Sequence, residues 1–209
     1  MTYTLYFLPG SCSMAVHVVL NELGQPVTLQ DVSAPAGQPR SPEFLKINPR
    51  GNVPTLVDDG HVIREGGAIL TYLADKHTSP LLPRSGFERA TTLEWLMFCN
   101  ATLHPAYGKA FQAAKVFTGE VQEKVMDAAI QQINKLWADV ETRLSASSYL
   151  AGKDISVADI LLTVIANWSA NFPKIQIGPK AKALFKNVTL RPSYQKALAA
   201  EKVEYKVAA

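Results

Sequence analysis

Cysteine is nearly absent: the 209 residues contain two, Cys12 and Cys99. That excludes a small secreted scaffold stapled by disulfides and makes a reducing, cytoplasmic setting the expectation. Long hydrophobic runs are missing too. None reaches the roughly 20 residues needed to span a bilayer, so no membrane partner is expected. The start, Met1 to Leu8, has neither a basic stretch nor an extended apolar core, and no secretion signal is expected there. Charge of one sign is also scarce. Lys and Arg total 21 against 18 acidic residues, a net charge of +3, and the basic residues are scattered rather than gathered into a nucleic-acid-binding stripe. What remains is an apolar, globular composition, 47% hydrophobic, long enough for one large domain or two small ones.

The pattern changes partway along the chain. Tyr3 to Leu8 reads as a buried strand, Ser13 to Leu23 as a helix ended by Gly24, and Val27 to Val32 as a second strand. A Pro/Gly-rich loop, 33–40, leads to a short helix from Pro42 to Ile47. Asp58-Asp59-Gly60 between Thr55-Leu56-Val57 and His61-Val62-Ile63 predicts a hairpin, and Glu65 to His77 a further helix. After the turn-rich stretch 79–86 every segment reads as helix: Phe87 to Val116 kinked at Pro105, Val121 to Ser145, an apolar helix from Ser156 to Phe172, then Pro179 to Val188 and Pro192 to Val203. The expected architecture is a small α/β domain over 1–78, a linker over 79–86 and an all-helical domain over 87–209.

Three places invite chemistry. Cys12, in Pro9-Gly10-Ser11-Cys12-Ser13, sits where a strand gives way to a helix N-terminus. There the unpaired N–H groups favour an anion, so a thiolate, its own or a ligand's, would be stabilised. Ser11 and Ser13 are secondary donors, and Ser13 is a candidate N-cap. Val53-Pro54 at a strand entrance is an ordinary turn if trans; if cis, Val53 is free to pair strand-like with an extended ligand. Glu65 before Gly66-Gly67 either complements the helix dipole or accepts from a ligand ammonium while the glycine N–H groups meet a carboxylate. Ser156-Val157-Ala158-Asp159 is a capping box, a structural signal. Cys99 reads as a buried, inert thiol.

Taken in order, Pro-Gly-Ser-Cys-Ser, Asn48-Pro49-Arg50-Gly51-Asn52-Val53-Pro54-Thr55-Leu56, Glu65-Gly66-Gly67-Ala68-Ile69-Leu70 and Ser156-Val157-Ala158-Asp159 resemble the motifs of a glutathione S-transferase, most like the bacterial beta class. The resemblance covers nearly the whole chain. It implies a thioredoxin-like α/β N-terminal domain and an all-α C-terminal domain, with a cis Val53–Pro54 bond. Val53 would hold the cysteinyl backbone of glutathione, with Asn52, Pro54 and Arg40 also in the substrate-binding set, Glu65 and Gly66 would hold its γ-glutamyl end, and Cys12 would lie beside its sulfur. Thr102-Leu103-His104 matches a family motif that turns His104 toward the thiol and the second substrate. Trp168 matches an aromatic residue lining the electrophile pocket. The chain departs from that class where the loop has Ala36-Gly37-Gln38 in place of a lysine, leaving Arg40 as the nearest cation, and where Met97 and Ala101 replace polar residues.

The resemblance implies a homodimeric detoxification enzyme that uses glutathione as co-substrate and no metal, conjugating its thiol to small, mostly apolar electrophiles. Phe87 and Trp95 are plausible contacts between subunits. Two other readings stay open on the sequence: glutathione-dependent monothiol disulfide exchange through Cys12, and a non-catalytic glutathione-binding scaffold.

Overall fold

The computed structural model describes residues 3–35, 38 and 40–207. Two compact units emerge. One takes the chain as far as Arg84 and resumes over Leu190–Glu204; the other holds Ser85–Thr189 and the tail from Tyr205.

The first unit is built on β1 (Tyr3–Phe7), β2 (Val27–Asp31), β3 (Thr55–Asp58) and β4 (His61–Arg64), in the order β2-β1-β3-β4. β1 runs parallel to β2, with Leu5 opposite Leu29, and antiparallel to β3, with Leu5 opposite Leu56. The expected hairpin joins β3 to β4 with Asp58 opposite His61. Alternation along β1 decides what covers each face. Tyr3, Leu5 and Phe7 are buried on one side, where the Tyr3 hydroxyl and His77 Nε2 lie 2.8 Å apart at the end of α3 (Gly66–Lys76). Tyr6 points the other way and stacks on Phe44 of α2 (Pro42–Ile47), with ring centroids 5.3 Å apart. α1 (Ser13–Glu22) packs against α3. It ends as the sequence suggests: Gly24 takes φ +64, and the N–H groups of Gly24 and Gln25 return to the carbonyls of Asn21 and Leu20, a Schellman closure.

The second unit contains α4 (Gly86–Met97), α5 (His104–Val116), α6 (Gly119–Ser145), α7 (Val157–Ala166) and α8 (Pro179–Thr189). Every residue of α7 is buried, and α4 and α8 both pack on it. The helix expected to run from Ser156 to Phe172 stops earlier, at Ala166, and continues as a 3₁₀ turn over Asn167–Asn171. At the start of α8, Glu141 of α6 acts as a distant cap. Its two carboxylate oxygens accept from the N–H groups of Lys180 (2.8 Å) and Ala181 (3.0 Å). A Cβ on Gly178 would overlap that carboxyl group. Gly178→Ala is therefore expected to destabilise the protein by about 1–3 kcal/mol in urea unfolding, through steric crowding and a lost cap.

Two expectations are corrected here. The last helix, α9 (Pro192–Glu201), does not join the helical domain that was expected to reach residue 209; it packs on α1 within the first unit. The reason is a clamp on Glu22: Arg191 donates through Nε and Nη2 at 2.7 Å each, and the Ser193 hydroxyl donates to the same carboxylate. The second correction concerns Pro105. The helix expected to run through it is not α throughout: Phe98–Leu103 forms a π-helical turn between α4 and α5, in which the His104 N–H reaches back five residues to Cys99. Proline cannot donate to the carbonyl four residues back and its ring crowds it, so the helix widens by one residue per turn.

Arg191 holds the Glu22 carboxyl below the usual carboxylate range, against the opposing effect of burial. A carboxyl depressed in the folded state contributes stability above its unfolded pKa and loses it as pH falls through the folded value. Glu22→Gln is expected to flatten the decline in stability below about pH 4.5, as read by denaturant titrations across pH 3–7.

Candidate thiol site

Cys12 precedes α1 as its N-cap residue. The turn before it is closed on its own atoms. Ser11 N–H donates to the Leu8 carbonyl (3.1 Å), while Leu8 N–H donates to Ser13 Oγ (3.2 Å). The Ser13 hydroxyl also lies 3.3 Å from the Leu8 carbonyl and 2.7 Å from Ser11 Oγ. Ser13 is thus neither the N-cap nor an open ligand donor: it is fully buried and locks the turn. Ser11 remains half-buried beside the thiol.

The state of the thiol differs from the expectation of a stabilised thiolate. Burial pushes the Cys12 pKa up to about 11. The backbone N–H groups of Cys12 and Ser13 pull it down, as a helix N-terminus should, and the Glu65 charge pushes it up again. Desolvation wins. Cys12 is 9% exposed and its Sγ donates to the Val53 carbonyl at 3.5 Å. At neutral pH it is a protonated donor.

Val53–Pro54 is cis. The segment before it is held by Asn48, which is 1% exposed. Its Nδ2 donates to the Asn52 carbonyl (2.8 Å) and to Thr55 Oγ1 (2.9 Å), while Oδ1 accepts from Arg64 Nε (3.0 Å). Asn52 therefore contributes its backbone to the turn, and its side chain is exposed.

Glu65 precedes α3 but does not cap it: its side chain makes no cap hydrogen bond, and its backbone stands at φ +70. A non-glycine residue in this region is strained, and such strain gathers at functional sites. The carboxylate is exposed and meets Arg50 Nη1 at 3.2 Å. Gly66 and Gly67 follow, buried, at the helix start, where N–H groups lack intrahelical acceptors. Arg40 is half-buried and spends Nη1 on the Val32 carbonyl at 2.7 Å. Ala36, Gly37 and Pro39 of its loop lie outside the described residues.

The second unit carries its own cluster. His104 opens α5, and burial lowers its pKa, leaving a neutral imidazole at pH 7. Its ring meets Trp168 edge-on, centroids 4.9 Å apart, and Trp168 also meets Tyr107 and Phe111 edge-on. Behind them the Tyr107 hydroxyl accepts from Trp137 Nε1 (2.8 Å) and lies 2.5 Å from Ser169 Oγ. Burial drives its pKa up to about 12, so it is a fixed wall rather than an acid. The spacing His104, Tyr107, Phe111 is a helical stripe that the sequence displays. Cys99 is fully buried, with its pKa pushed well up by burial. Among the described residues no group of three or more His, Cys, Asp or Glu could hold a metal ion, and no helix is long and apolar enough to cross a membrane.

A thioredoxin-like unit with a buried thiol at a helix start, followed by an all-helical unit, defines a known class of transferase fold. The glutathione S-transferase N-terminal domain matches residues 1–75 and the C-terminal domain residues 91–192. The chain belongs to the glutathione S-transferase family and is a transferase of that family. A glutathione S-transferase from Xanthomonas campestris is 36% identical over 177 residues, covering 79% of this chain and 81% of that protein. One from Escherichia coli O157:H7 is 30% identical, covering 94% and 98% respectively. Among solved structures, a sphingomonad glutathione S-transferase complexed with glutathione superposes with a TM-score of 0.82 at 30% identity, covering 96% of this chain and all of that one.

Proposed function

We propose that the protein conjugates glutathione to small, mostly apolar electrophiles, as a bacterial beta-class enzyme, and that the reacting sulfur is glutathione's. The observation that carries this reading is Cys12: buried, pushed up to about 11 and donating to the Val53 carbonyl. It is poorly suited to attack and well suited to donate a hydrogen bond to a neighbouring thiolate, which is the form that reacts. Val53 holds the cysteinyl backbone of glutathione; Glu65 and the N–H groups at the start of α3 hold the γ-glutamyl end. Arg50 beside Glu65 joins this set. The glutathione-bound sphingomonad relative supports the ligand. His104 and Trp168, with Phe111, take the electrophile's side, where edge-on rings favour a planar apolar group.

The proposal extends to a homodimer with a role in detoxification in the cytoplasm. The family resemblance is what supports the dimer; Phe87, 87% exposed at the start of α4, is available to such a contact. Two free, buried cysteines fit a reducing compartment.

Turnover of a chromogenic electrophile by protein first retained on immobilised glutathione tests the reading. Cys12→Ala should keep conjugation within about tenfold, the loss of one hydrogen bond. Oxidised glutathione should leave Cys12 unmodified by mass spectrometry. Abolished turnover in the variant together with a glutathione adduct on Cys12 would assign the site to disulfide exchange instead; retention without turnover would leave a binding scaffold.

A further inference from the structure

Trp168 does not stand on a regular helix. α7 ends at Ala166, and the five residues Asn167–Asn171 continue as a 3₁₀ turn. Runs of that length are uncommon because their hydrogen bonds are poorly aligned, and Asn and Ser are weak helix formers that turn to nearby backbone instead. Such a turn keeps its shape where other parts of its unit brace it. Braces lie on both sides of Trp168. Before it, Asn167 Oδ1 accepts from the Lys206 N–H at 2.8 Å, from 39 positions along the chain. The neighbouring Tyr205 hydroxyl donates to the Thr163 carbonyl, in the last turn of α7, at 3.1 Å. After it, Ser169 is buried, and its hydroxyl lies 2.5 Å from that of Tyr107, which Trp137 Nε1 holds from α6. The Trp168 ring between them is half-buried and meets His104, Tyr107 and Phe111 edge-on, at 4.9, 5.8 and 6.2 Å between centroids. Edge-on ring contacts are individually weak, so the backbone beneath the ring decides where it faces. A rotation of the backbone at Asn167 swings the ring away from His104.

We propose that Asn167, seated by the tail residues Tyr205 and Lys206, is a positioning residue for Trp168, and through that ring a determinant of which electrophile fits. The consequence for the electrophile rests on the function proposed above; the seating of the ring does not.

Fluorine magnetic resonance of the full chain labelled with fluorotryptophan reads the ring directly. Trp95, Trp137 and Trp168 are the three tryptophans, and substituting each by Phe assigns its resonance. Asn167→Ala should shift and broaden the Trp168 resonance and leave that of Trp95 in place. Asn167→Asp keeps an acceptor for the Lys206 N–H and should bring the Trp168 resonance back toward its wild-type position. Tyr205→Phe, which loses one hydroxyl, should move it less than Asn167→Ala does. In turnover, Asn167→Ala should raise KM for the electrophile at least about threefold while KM for glutathione stays unchanged. The ratio of kcat/KM between a compact and a bulkier aromatic electrophile should also change by at least about threefold, and Asn167→Asp should restore it. A role confined to stability would lower the melting temperature of Asn167→Ala and leave both the resonance and the ratio at wild-type values, which would overturn the proposal. An equal rise in both KM values would overturn it too. If Asn167→Ala does not fold, Tyr205→Phe decides, and an unmoved Trp168 resonance there counts against the seating. A displaced Trp168 resonance in a protein that conjugates nothing would sustain the seating and remove the transferase chemistry; an unmoved resonance in an active enzyme would do the reverse.

Discussion

Asp159→Ala is expected to remove about 3–5 kcal/mol of stability, enough to leave little folded protein in a domain of ordinary stability. The Asp159 side chain is wholly buried, yet every donor around it is met. Oδ1 accepts from the Leu150 N–H at 2.8 Å; Oδ2 accepts from the Ser156 N–H at 2.8 Å and from the Ser156 hydroxyl at 2.6 Å. Truncation leaves two buried N–H groups without acceptors, and each such orphan costs about 1–3 kcal/mol. Helix α7, with all its residues in the core of its unit, starts at this point. Asp159→Asn should cost less, because one carbonyl oxygen survives and the Ser156 hydroxyl can rotate to accept. Ser156→Ala, which removes one hydroxyl, should cost around 1 kcal/mol. Urea unfolding of the three variants checks both the size and the order.

The second large effect falls on ligand affinity. Glu65→Ala should weaken glutathione binding by about ten- to a hundredfold, the range for losing a hydrogen bond between charged groups, with kcat changing less than KM. Calorimetric titration with glutathione measures it directly. The carboxylate is exposed and caps nothing, so the melting temperature should hardly move. Arg50→Ala frees Glu65 from its partner at 3.2 Å and separates direct contact from orientation. If Glu65 binds the ligand ammonium itself, the Arg50 variant should lose less affinity than the Glu65 variant.

Much of the fold is legible because its signals are local. Asp58-Asp59-Gly60 announces the β3–β4 hairpin, Gly24 the end of α1, and Ser156 with Asp159 the start of α7. The ordered motifs carry the family. What escapes is set by contacts between distant residues. Nothing near Glu201 in sequence marks it as the partner of Gly10, 191 positions away, and the placement of α9 on α1 depends on an equally remote Arg191–Glu22 pair. The thiol shows a different failure. A helix N-terminus can be read from residues, and it does pull the Cys12 pKa down; the burial that outweighs it is a property of the assembled unit. For Glu65 the residues alone leave open a dipole-complementing role or a ligand contact; that its side chain makes no cap hydrogen bond and its backbone stands at φ +70 is visible only in the folded chain. The π-helical turn before His104 follows from Pro105, a cue the sequence contains but which equally suggests a kink.

Ultraviolet titration of thiolate absorbance, with and without saturating glutathione, on the wild type and on Cys12→Ala asks most directly whose sulfur is ionised. If the reacting thiol is glutathione's, thiolate should form near neutral pH in both proteins and only when glutathione is bound, while the Cys12 thiol alone stays protonated until about pH 11. A thiolate near neutrality in the glutathione-free wild type, absent from Cys12→Ala, would make Cys12 the nucleophile and refute the conjugation mechanism proposed for this site.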